Sequence, residues 1–172
     1  RAFLRSRAAR ILLPDRTVKA ELAQYYDAFA AAAAMPPWEG LKATTDMDRV
    51  QKGEVPGVSQ WNTAARMLLP ALGRFAEQHV ETQAHLQVLR LAVAARRYRL
   101  ARGQWPPALQ DLAPDYIQAV DPDPFTGRPM RCAPDDGAWK VWSVGRDLRD
   151  NGGKEKADVA LTLQPEAARA QP

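Results

Sequence analysis

The chain has 172 residues, 46% of them hydrophobic and 26% charged, the balance of a globular protein of one domain, or one domain with an appendage. These figures exclude a wholly disordered chain and a collagen-like fibre, and a single cysteine, Cys132, excludes a disulfide scaffold. The net charge of +4 is uneven: residues 63–103 hold seven Arg against Glu77 and Glu81, whereas 104–142 hold six acidic and three basic groups. Opposite charges of this kind attract within one fold, so a basic pI is a poor argument for nucleic acid. No run of apolar residues is long enough to span a bilayer.

Residues 1–13 read as a basic amphipathic helix, with Phe3, Leu4, Ile11 and Leu12 among four Arg. That is either a juxtamembrane stretch or a helix packed by its apolar stripe. After Pro14 the helical pattern restarts over 15–35, where Val18, Leu22, Tyr25, Tyr26 and Phe29 share a face. Pro36 and Pro37 end it. Residues 38–60, with Gly40, Gly53, Pro56 and Gly57, show no clear period and are expected to form a long surface loop anchored by Trp38 and Trp61. Asn62 is a suitable N-cap for the longest helix, 63–102, which Pro70 should kink or begin. Leu72, Phe75, Leu86, Leu89, Val93 and Leu100 are expected to form its buried stripe, widened by Val88, Leu91, Ala92, Ala95 and Tyr98. Gly103 ends it after an Arg-rich last turn, which suits the negative end of a helix.

From residue 104 the chain is punctuated by proline, with one helical turn at 107–112. Residues 129–133 and 138–144 read as strands joined through Asp135-Asp136-Gly137, a hairpin signal. Val159, Leu161 and Leu163 form a third strand, and 165–172 a frayed tail. The expected fold is α+β: a helical N-terminal part, with one long helix packed on a small three-stranded antiparallel sheet. It divides into a helical extension with a long loop (1–62), an α+β domain (63–164) and the tail.

The stretch 86–163 resembles the C-terminal globular part of the major pseudopilins of bacterial type II secretion systems, and related uncharacterised bacterial proteins with a similar module. The resemblance is carried by Tyr98-Arg99-Leu100-Ala101-Arg102-Gly103, Trp105-Pro106, Leu109 and Leu112. It continues through Asp121-Pro122-Asp123-Pro124-Phe125, Gly127 and Pro129. It ends with Trp142-Ser143-Val144-Gly145-Arg146-Asp147, Asp150-Asn151-Gly152-Gly153 and Asp158-Val159. It implies a non-enzymatic, extracytoplasmic module, periplasmic or secretion-related, that serves assembly or protein–protein contact. The chain departs from the family where the pseudopilin helix enters the membrane. Arg74, Glu77, Gln78, His79, Glu81, His85 and Arg90 occupy that region here, and a bilayer would not accept them. The opening at Arg1 rather than Met suggests a processed or excised product, with any membrane anchor in a segment upstream.

The loop between the second and third strands is the sharpest chemical feature. Asp147, Asp150 and Asp158, with Asn151 as a further oxygen donor, suit the oxygen preference of Ca²⁺, and Gly152 and Gly153 allow a tight bend. In pseudopilins a similar loop holds a structural calcium, and the resemblance carries that role onto these residues. Arg149 at the third place and Asp at the twelfth exclude an EF-hand. The competing reading is a solvated turn, because Arg146, Arg149, Lys154 and Lys156 already balance the acids.

Other groupings are weaker. Glu77, Glu81 and His85 stack on one helix face, either as a zinc site or as an exposed polar stripe. Asp121 and Asp123, between prolines, are expected to cap turns rather than act as acid and base. Cys132 reads as a core residue, and Trp105, Trp139 and Trp142 as core or hairpin cover. The run from Arg96 to Arg102 has a phosphate-binding look, but its arginines are expected to pair with the acidic segment 104–142. Two other functions stay open: a hydrolase with its site in the N-terminal helical half, and a partner-docking protein that uses residues 1–62.

Overall fold

The computed structural model describes residues 16–51, 63–154 and 157–165. The chain divides into two compact units, Arg1–Ala76 and Glu77–Pro172. The expected helix at 1–13, the Asn62 cap, Trp61 and most of the tail lie outside the described residues.

The first unit contains α1 (Arg16–Ala33) and α2 (Pro37–Gln51), which pack on one another. The second of these overturns the expected loop at 38–60 for residues up to Gln51. Pro37 is the first residue of α2, where a missing N–H and a preset φ favour a helix start rather than a stop. Glu39 lies in the first turn, where a carboxylate complements the helix dipole. Gly40, read as a breaker, is a packing residue. It is buried, and a Cβ there would collide with the Ala32 carbonyl oxygen of α1.

The long helix α3 (Thr63–Arg102) runs through Pro70 rather than starting there. In the second unit its buried residues are Val80, Ala84, Val88, Leu91, Ala92, Ala94 and Ala95. Val88, Leu91, Ala92 and Ala95, expected to widen the buried stripe, are in the core, but the residues expected at its centre face water: Leu86 is 50% exposed, Leu89 and Val93 54%, Leu100 70%. Phe75 is likewise exposed, and the side chain of Leu72 is not among those described. The reason is steric. The sheet presents Trp139 and Val141 to the same core cluster as Ala92, Ala94 and Ala95, and a large indole fits against a helix face of small side chains.

The sheet is antiparallel with order β1 (Arg131–Asp135), β2 (Ala138–Ser143), β3 (Val159–Leu163). Asp135 pairs with Ala138, so the hairpin loop is Asp136-Gly137, both at positive φ, as a type I′ turn demands. Along β2, Trp139, Val141 and Ser143 are buried with at most 2% exposure. A 3₁₀ turn, Leu109–Leu112, closes the core edge with both leucines buried. The carboxylate of Asp111 accepts the Ala108 N–H at 3.0 Å and fixes that turn. Trp105 stacks on Trp139 with ring centroids 6.1 Å apart, and its indole N–H donates to the Gly137 carbonyl. The Trp139 indole donates to the Pro106 carbonyl at 3.2 Å. The Trp105-Pro106 pair thus ties the segment after α3 to the hairpin, and the long-helix-on-sheet α+β architecture expected from the sequence is present.

Candidate functional site

The loop from Val144 to Asp158 leaves the central strand and returns as β3. Its entry is fixed by Asp123, which is fully buried. Oδ1 of Asp123 accepts from the Phe125 N–H and the Ser143 hydroxyl at 2.9 Å, and Oδ2 accepts from the Val144 N–H at 3.0 Å. One carboxylate therefore closes its own turn, as its place between prolines suggests. It also bonds the end of β2, which the sequence does not reveal. Asp121, by contrast, is on the surface and pairs with Arg90 at 3.3 Å.

The next constraint is Gly145, at φ +70, where a Cβ would strike the carbonyl oxygen of Ala157. The two ends of the loop meet there, backbone to backbone. Gly152 and Gly153, at φ +71 and +74, make the bend expected of them. Gly153 lies on the outer face of the sheet, against Lys140 and Trp142.

The four predicted ligands do different work. Asp158, 3% exposed, points inward and accepts the N–H groups of Asn151 at 3.1 Å and Gly153 at 2.7 Å. Asp147 is exposed and accepts the Arg149 N–H and the Asn151 side-chain amide. Those bonds, the first above all, hold its carboxyl below the usual range. Asp150 turns away from both and accepts the Trp142 indole N–H at 3.0 Å and the Gly152 N–H, while Arg131 Nε lies 2.7 Å from it. Its carboxyl is held low chiefly by the indole bond, against partial desolvation, with Gly152 and Arg131 assisting. Asn151 Nδ2 is the meeting point. Asp147 Oδ2 is 2.8 Å from it, the Arg149 carbonyl 3.3 Å and Asp158 Oδ1 3.5 Å.

Three oxygens thus converge on one amide nitrogen, and two of them belong to carboxylates. An N–H donor fills that centre, so Asn151 would have to turn its Oδ1 inward before Asp147, Asp158 and the Arg149 carbonyl could share a hard cation with it. Asp150 is committed to Trp142 and Arg131. Among the described residues no group of three or more His, Cys, Asp or Glu side chains is set to hold a metal.

The lowered carboxyl of Asp150 gives a pH signature. A carboxylate whose folded pKa is depressed stabilises above its unfolded value, near 3.9, and ceases to as pH falls through the folded one. Asp150→Asn should therefore melt below the wild type at neutral pH, with the gap closing below about pH 4. The effect is modest, since the group is substantially exposed to water. Melting curves by circular dichroism across pH 2–7 would check it.

The Glu77, Glu81, His85 face is engaged by Arg146. Arg146 bonds Glu81 at 2.6 Å and lies 3.6 Å from Glu77. His85 Nδ1 is 2.8 Å from the Glu81 carbonyl, which can only accept, so that nitrogen carries the proton. A recess of about 210 Å³ lies beside them, lined by Glu81, His85, Gly145, Arg146, Ala157, Asp158, Val159 and Ala160. It offers no hydroxyl or thiol nucleophile. Cys132 is half-buried and packed on the core, and burial pushes its thiol up, the reverse of what a nucleophile needs.

The arginine run serves its own unit, mostly through carbonyls and rings rather than the carboxylates expected. Arg96 donates to the Gln164 carbonyl and Arg97 to that of Tyr116. Arg99 lies 4.3 Å over the Trp105 ring, and Arg102 stacks near Tyr98. Among the described residues no helix is long and apolar enough to cross a membrane. No family model, curated protein or solved structure matches the chain.

Proposed function

We propose that the second unit is a non-enzymatic, pseudopilin-like contact module, bacterial and extracytoplasmic, that serves assembly or protein–protein interaction. The observation that carries this reading is the outer side of α3. Leu86, Leu89, Val93 and Leu100 stand in water along a helix whose opposite side is dry core. An exposed apolar strip of this kind, interrupted by Arg96 and Arg97 before Leu100, marks an interaction surface when it stands on a well-packed scaffold. Its scaffold is rigid for stated reasons: the buried Asp123, the Trp105–Trp139 stack and the closed loop. In this reading the loop takes a structural Ca²⁺ through Asp147, Asp158 and Asn151, a bound cation supplying charge neutralisation and no chemistry.

The test is site-specific photocrosslinking in the native cell. A benzoylphenylalanine placed at Val93 should give discrete adducts with another protein, and one placed at exposed Gln110 should not. Absence of adducts at Val93, Leu89 and Leu86 alike would overturn the contact reading.

A further inference from the structure

From the charge and spacing of this same face we infer what kind of partner it receives: the acidic-edged apolar face of an amphipathic helix in another protein. The inference rests on the contact reading above and goes further by naming the partner's chemistry.

The spacing is the first support. Leu86, Leu89 and Val93 follow steps of three and four, the a/d rhythm by which one helix receives another, with Leu100 one heptad past Val93 and Arg96 at the d position between them. At 3.6 residues per turn they fall within a sector of about 60°, and they extend over roughly 21 Å of helix. A narrow ridge of this kind suits a single helix lying along it better than a flat surface.

Charge is the second. Between Glu81 and Asp111 the sequence has no acidic residue, while α3 carries Arg90, Arg96, Arg97, Arg99 and Arg102 in that interval. On the helical wheel Arg97 borders the strip on one side, beside Arg90, which is already paired with Asp121 at 3.3 Å, and Arg96 lies on the other. Arg97 and Arg102 meet a carbonyl and an aromatic ring, contacts that leave their charge in place. An acidic flank on the incoming helix would meet Arg97, at the edge of the strip, as e/g charges meet in a coiled coil.

The same charges argue against a second copy of this chain as the occupant. Two such faces would set arginine against arginine, and about two heptads of apolar seam is too short to offset that. An anionic lipid surface would answer the charge but not the narrow ridge, and the strip itself carries no Trp or Tyr between 86 and 100 except Tyr98, which packs on the core side.

The experiment uses the full chain and three probes: a labelled peptide with Leu at a and d and Glu at e and g, its counterpart with Lys at e and g, and phosphatidylglycerol vesicles. Fluorescence anisotropy should show the Glu peptide binding at least about tenfold tighter than the Lys peptide. Added salt should weaken that binding. Leu89→Ser should abolish it and Arg97→Gln reduce it, with melting curves close to wild type because both positions are exposed. Equal binding of the two peptides, binding of neither, or binding of vesicles alone would overturn the inference. Dimerisation of the free chain through Leu89 in sedimentation equilibrium would overturn it too. If crosslinks form at Val93 in cells while the Glu peptide fails, the partner's chemistry is wrong and the contact reading stands. Peptide binding without crosslinks would instead support the chemistry of the face and overturn the contact reading.

Discussion

Asp123→Ala is expected to lower the stability of the second unit by roughly 4 kcal/mol, near the upper end of what single substitutions do. The carboxylate is fully buried and accepts from three donors on two separate segments. Its removal leaves two backbone N–H groups and a hydroxyl in the interior without an acceptor, each at about 1–3 kcal/mol. Partial relaxation, with water entering the space, keeps the total below the sum. Asp123→Asn should cost about half as much, because an amide can keep one acceptor oxygen but turns N–H toward one of the donors. Ser143→Ala, which removes a single donor, should cost about 1 kcal/mol. Urea unfolding followed by tryptophan fluorescence measures all three. A cost of under about 1 kcal/mol for Asp123→Ala would show that the turn and strand end are held by something else.

The second large effect is at Gly145. Gly145→Ala meets two penalties: a left-handed backbone that costs an L-residue about 1–2 kcal/mol, and a collision with the backbone of Ala157. Because neither chain segment is a flexible side chain, the loop ends must part, and we expect a loss of roughly 3 kcal/mol. Gly152→Ala is the natural comparison. It has nearly the same φ but open space around the added methyl, so it should cost only about 1 kcal/mol. Hydrogen exchange reads the difference locally. In G145A the Asn151 and Gly153 amides, both bonded to Asp158, should lose protection, and in G152A they should largely keep it. Equal behaviour of the two variants would mean that φ strain alone matters there.

How much of the fold is legible in the sequence depends on the range of the interaction. The hairpin is readable because Asp136-Gly137 meets a purely local demand, positive φ at two successive positions. The long helix and third strand are readable from periodicity. The inward face of α3 is not, because the helix has apolar residues on both sides. Periodicity gives a face broad enough to include both sides, and only the sheet, with Trp139 in place, selects the one with Val88, Leu91, Ala92 and Ala95. Gly40 misleads in the same way. As a local symbol it breaks helices, yet here it admits the Ala32 carbonyl of a neighbouring helix. At the candidate site the sequence groups four oxygen-bearing residues without ranking them. What separates Asp150 from the others is the Trp142 indole and Arg131, partners from two strands whose pairing no linear pattern shows.

The pseudopilin-like reading is tested most directly by its cation. Calorimetry of the purified chain with CaCl₂ should show binding at one site, and the melting temperature should rise in millimolar calcium and return on chelation. At a concentration about a hundredfold above Kd the gain is about 2.7 kcal/mol. Asp147→Asn, at an exposed position with no part in the core, should lower the apo melting temperature only slightly, through its bonds to Arg149 and Asn151, and abolish the response. Neither heat nor a shift in melting temperature at millimolar calcium would contradict the account. The convergence of Asp147 and Asp158 on Asn151 would then be a self-contained turn, with no likeness to a pseudopilin loop left in it.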